Sequence, residues 1–149
     1  MMKTKWIVAG AVGAALATAA AGGAALAHHA FAAEFDGKAP VLLRGKVTRV
    51  EWINPHAWVH VAVVGQDGKT TPWMVEGGTP NTLLRSGIDR NSLKAGTEII
   101  VRGYESKDKV CAPACKANGR DVTLPDGRKV FMGSSGTGAP RDGADATER

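Results

Sequence analysis

From Val41 onward, apolar and polar residues alternate in short runs bounded by Gly, Pro, Asn and Asp. That is the period of half-buried strands. Val41 to Ile53 is the first run, with Arg44, Lys46, Thr48 and Arg49 interleaved among β-branched and long apolar residues. Gly45 inside it predicts a bulge or sharp bend. Asn54-Pro55 ends the run as a turn. Ala57 to Val64 alternates again, Gln66-Asp67-Gly68-Lys69 is a hairpin turn, and Thr70 to Glu76 is the return strand. Gly77-Gly78 then leads into the one helical stretch. Thr79 is its N-cap, Pro80 its first helical position, Leu83-Leu84 its apolar face, and it stops near Gly87. Asn91 to Gly96 is a turn and Thr97 to Tyr104 a strand. Asp121 to Leu124 and Lys129 to Met132 form a last hairpin about Pro125-Asp126-Gly127-Arg128.

Three strands, a short helix and two or three further strands make a mainly β domain. Closing such a set on itself removes its edges. The element order is that of a small oligonucleotide/oligosaccharide-binding-type (OB-like) barrel of five to six strands with one short helix, the helix lying between strands three and four. A small β-sandwich is the competing architecture. The expected organisation is a signal peptide over 1–27, an N-terminal arm over 28–40, the OB-like domain over 41–132 and a disordered tail over 133–149. The tail is Gly, Ser, Pro, Asp and Arg without apolar pattern. Phe31 and Phe35 are the expected anchors of the arm.

The leader reading rests on Lys3 and Lys5, an Ala/Gly/Val run and Ala25-Leu26-Ala27, the charged, apolar and A-x-A regions of an exported, periplasmic protein. Ala30-Phe31-Ala32 is a second A-x-A. Contact with a membrane is expected only if the leader stays uncleaved as an anchor. The formal charge of +5 falls to +3 once Lys3 and Lys5 leave with the leader. No basic run suits a phosphate backbone, so nucleic acid is not an expected partner. Cys111 and Cys115 are an even pair in an exported chain, which predicts a short disulfide; a C-x-x-x-C thiolate pair is the alternative.

Several segments together resemble one family. They are Ala27-His28-His29-Ala30-Phe31, Glu34-Phe35-Asp36, Gly45-Lys46-Val47, Trp52-Ile53-Asn54-Pro55-His56, Trp73-Met74-Val75-Glu76 and Leu124-Pro125-Asp126-Gly127-Arg128. They are similar to the exported bacterial domain-of-unknown-function family 6152. The resemblance implies export and a domain over most of residues 27–130, and no activity. Where many members look like His-Pro-Leu-x-Asp-Gly, this chain reads Gly103 to Asp108, and members tend to lack the cysteine pair.

The candidate chemistry is in the histidines. Cutting after Ala27 makes His28 the first residue, where its α-amine and imidazole form a chelate, and His29 follows. Nitrogen ligation of this kind suits Cu(II), Ni(II) or Zn(II), with copper, or else zinc, the expected ion. Of the four histidines, His56 and His60 lie four apart. On a strand that separates them by about 13 Å at roughly 3.3 Å per residue, so they do not share one metal unless the chain kinks. His56, beside the Asn-Pro turn, is therefore the third expected ligand, and His60 a surface or stacking residue beside Trp58. Glu34, Asp36 and Glu76 are candidates to add an oxygen or orient an imidazole. Trp52, Trp58 and Trp73 are candidates for core packing or for a ligand face. Trp73 and Met74 are strand neighbours, so only one points into a given site. No nucleophile motif, P-loop, haem site or catalytic carboxylate pair is present, so an enzyme is the least expected reading. Two readings lead. One is metal binding or handling through His28, His29 and His56. The other is a periplasmic interaction module for a protein or small ligand, with no metal.

Overall fold

The computed structural model describes residues 31–133. The expected leader, His28, His29 and the tail from residue 134 lie outside the described residues. The elements are β1 (Phe35–Glu51), β2 (Trp58–Val64), β3 (Thr70–Glu76), α1 (Pro80–Arg85), β4 (Glu98–Ser106), β5 (Cys115–Thr123) and β6 (Lys129–Phe131). Among the described residues, no helix is long and apolar enough to cross a membrane.

The strands form one sheet in the order β3-β2-β1-β4-β5-β6, and an additional pairing joins β3 to β5. The ring β1-β2-β3-β5-β4 is therefore closed, antiparallel at every step except the parallel β3–β5 contact. This is the expected OB-like topology, and the single ring replaces the two facing sheets of a sandwich. β6 extends β5 as a hairpin.

β1 closes the ring by pairing twice. Residues 35–46 register on β4 and residues 45–51 on β2, with Gly45 and Lys46 paired on both sides. The β1–β2 register shift lies between Val47 and Arg49, not at Gly45 where a bulge was expected. Gly45 is needed for close approach instead: a Cβ there would lie 2.3 Å from the Ala62 carbonyl oxygen.

Both hairpin turns use Asp-Gly in the same way. Gly68 and Gly127 take left-handed φ of 76° and 86°. Asp67 and Asp126 accept from the amides of Lys69 and Arg128, each at 3.0 Å. In α1, the Thr79 hydroxyl accepts from the Thr82 amide and Pro80 opens the helix. The helix ends in a Schellman motif: Ile88 N–H donates to the Leu83 carbonyl and Gly87 N–H to that of Leu84, with Gly87 at φ 83°. The expected Leu83-Leu84 face splits. Leu83 is fully buried in the core, and Leu84 is 52% exposed.

The core fills the ring with Leu43, Val47, Val59, Val61, Val75, Ile99, Val101 and Val122, and Leu83 and Ile88 reach it from the helix region. A second cluster stands apart. Phe31 stacks on Phe35 at 5.8 Å and meets Tyr104 edge-on at 5.7 Å. The arm is thus fastened to β4, as its two phenylalanines suggest. Two strands begin six residues before the expected starts. β1 starts at Phe35 rather than Val41, because residues 35–40 pair with the end of β4. β5 starts at Cys115 rather than Asp121, because β3 and β4 flank it on both sides. Its first six residues, Cys-Lys-Ala-Asn-Gly-Arg, include no large or β-branched apolar residue to announce a strand.

Candidate functional site

Strand register aligns one row of side chains across the ring: Tyr104 on β4, Asn118 on β5, Glu76 on β3, Trp58 on β2 and Glu51 on β1. Their strand neighbours Val59, Val75 and Ala117 belong to the core. By the two-residue period of a strand, the row therefore faces outward. Glu76 and Asn118 are nonetheless 5% and 1% exposed. Polar groups buried on an outer face make this row the candidate site.

His56 reaches the row through its backbone neighbour. Ala57 N–H donates to the Gly78 carbonyl at 3.0 Å and its own carbonyl accepts from Gly77 at 2.8 Å. This clamps the loop before β2 onto the residues after Glu76. His56 Nδ1 then lies 3.1 Å from Glu76 Oε1. With Nδ1–H donating to the carboxylate, the neutral ring carries its lone pair on Nε2. The His56 side chain is 35% exposed, whereas that of Glu76 is 7% exposed.

Glu76 is held in an unusual state. Its pKa is raised from 4.5 to about 7, chiefly by burial and next by the negative charge of Glu34. A hydrogen bond from Asn118 Nδ2, 3.4 Å from Oε1, and the nearby Lys116 charge act in the opposite direction. Asn118 Oδ1 is buried without a hydrogen-bond partner.

Glu34 belongs to the arm. Its carbonyl accepts from Lys107 N–H at 2.9 Å, and its carboxylate lies 3.7 Å from Lys116 Nζ. Lys107 Nζ also donates to the Ala32 carbonyl. The first described residues therefore lie on the same side of the ring as Glu76 and His56.

His60 departs from its expected surface role. It is buried, with Nε2 2.9 Å from Glu51 Oε1. Arg49 also donates to that carboxylate. The hydrogen bond to His60 is the main cause that holds Glu51 below the ordinary carboxylate range. His56 and His60 are thus engaged by different carboxylates. Asp36 caps a turn by accepting from Lys38 N–H at 2.9 Å, and no described contact ties it to the row. Trp52 packs partly on the core beneath the Arg90 guanidinium, 5.3 Å above its ring. Trp73 packs against the core too, which puts Met74 on the outer face in register with His60 and Lys116. Trp58 stands in the row itself, half-buried.

Among the described residues, no three His, Cys, Asp or Glu side chains gather as a metal site. His28 and His29, the other two expected ligands, lie outside them. Cys111 and Cys115 form the expected disulfide, closing the β4–β5 loop with Cα atoms 3.8 Å apart. Sequence reading missed Asn118 and Lys116, since neither lies in a recognisable motif. Only the parallel β3–β5 pairing brings them to Glu76.

No curated protein matches the chain. A family model described as a family of unknown function does match, over residues 15–113. That range includes the histidine segment, the Trp52–His56 loop and Glu76, and ends before β5. The resembling Leu124–Arg128 turn falls beyond it. A match over more than half of the sequence places the chain in this family of unknown function, DUF6152.

Proposed function

We propose that the chain is an exported, periplasmic OB-like domain that binds a divalent transition metal, copper foremost, for handling or delivery rather than turnover. The carrying observation is the His56–Glu76 contact. A buried carboxylate fixes the ring through Nδ1 and leaves Nε2 outward, the arrangement in which a histidine serves as a metal ligand with its second nitrogen anchored. His28, with its α-amine freed by cleavage after Ala27, and His29 supply the remaining nitrogens. The fastening of the arm through Phe31, Phe35 and Glu34 supports their arrival on this face. The burial of His56 is partial, so its ring is open to an incoming ion.

The test is titration of the exported protein with Cu(II) and with Zn(II), after mass spectrometry has located its first residue. The reading expects a start at His28 and tighter binding of copper than zinc. His56→Ala and the double variant His28→Ala/His29→Ala each weaken copper. Glu76→Gln, which keeps the shape but removes the carboxylate, weakens it by about tenfold. A protein that starts at Ala33, or variants that bind copper like the parent, would refute the reading.

A further inference from the structure

A groove of about 570 Å³ lies on the ring well away from the histidine row. It takes in Ala62, Val64 and Thr70, at the far end of the β2–β3 hairpin from Trp58 and Glu76. Its volume is within the range of about 300–1,000 Å³ typical of small-molecule sites. The groove exists because β1 is paired on both sides here while the side chains are small. Gly45 carries none, and Ala62 stands opposite Lys46.

The chemistry of the walls is one-sided. Val64, Ile100 and Pro125 give apolar surface, and Val64 is 64% exposed. Three charged residues line the groove: Arg44, Lys46 and Glu98. Lys46 and Glu98 pair with each other at 3.4 Å. The Arg44 side chain is exposed and makes no ion pair or hydrogen bond among the described residues. The groove thus offers apolar walls and one unopposed guanidinium, whose planar fork matches a carboxylate.

We infer that this groove binds a soluble medium-chain carboxylate, with its alkyl chain along Ala62, Val64, Ile100 and Pro125 and its head on Arg44. Charge complementarity selects the anion, since the other two charged residues neutralise each other. The inference is independent of the metal reading, because it uses none of the same residues.

The experiment uses the full chain with sodium decanoate below its micellar range. The comparison ligands are decyltrimethylammonium and decanoyl-chain phospholipid vesicles, read by calorimetry and by amide chemical shifts. Decanoate is expected to bind, with shifts at Ile100, Thr123 and Val64 and none at Trp58 or Glu76. The cationic amphiphile binds at least about threefold more weakly, the size of one exposed ion pair. Arg44→Glu lowers decanoate affinity by about tenfold, combining a lost attraction with a gained repulsion. Val64→Asp, at an exposed position that tolerates a charge, weakens decanoate without altering the fold. The inference is overturned if decanoate does not bind, if both variants bind it like the parent, if the two amphiphiles bind alike, if shifts fall on the histidine row, or if only vesicles bind.

Discussion

Replacing Glu76 with Gln tests the electrostatics of the site directly. Glu76 is 7% exposed in its side chain and carries a pKa raised from 4.5 to about 7, chiefly by burial. A carboxyl that is harder to ionise in the folded chain holds its proton there after the unfolded chain has released it. The folded state is therefore favoured below pH 4.5, loses that advantage as pH rises through about 7, and changes little above it. At about 1.36 kcal/mol per pH unit, the loss amounts to about 3 kcal/mol. Gln matches the neutral acid in shape and still accepts from Asn118 Nδ2. Glu76→Gln is then about as stable as the parent near pH 4.5 and more stable by about 3 kcal/mol near pH 8. The assay is urea unfolding of chelator-treated protein, followed by tryptophan fluorescence at several pH values. Parallel pH profiles for the parent and Glu76→Gln would refute the reasoning.

Three further predictions concern the fold. Leu83→Ala is expected to cost about 3 kcal/mol and Leu84→Ala almost nothing, since only Leu83 is buried; urea midpoints compare them. Gly45→Ala drives a methyl into the Ala62 carbonyl and is expected to cost about 2–3 kcal/mol, seen as a lowered thermal midpoint. Phe31→Ala removes one ring of the Phe31–Phe35–Tyr104 cluster and is expected to cost about 3 kcal/mol, with earlier proteolysis of the arm as a second readout.

Local chemistry determined much of this protein by itself. The Asp-Gly turns at Gly68 and Gly127, the Thr79-Pro80 helix start and the bounds of β3 depend on neighbours in sequence, and all were legible. Element order was enough to give the OB-like ring, because a closed sheet is the way such strands avoid open edges. The cysteine pair and the family likewise followed from residues close together in the chain. His56 could be singled out, but its partner could not: Glu76 was one of several candidate acids, and Asn118 was not a candidate at all. The closure of β3 on β5 decided that, by placing residues 42 positions apart in hydrogen-bond contact. The same closure made the polar Cys115–Arg120 segment a strand, and the β1–β2 pairing made His60 a buried partner of Glu51 rather than a surface residue. Alternation along a strand reports which face a residue takes. Whether that face is open or covered depends on what the rest of the chain lays over it, and only the tertiary structure fixes that.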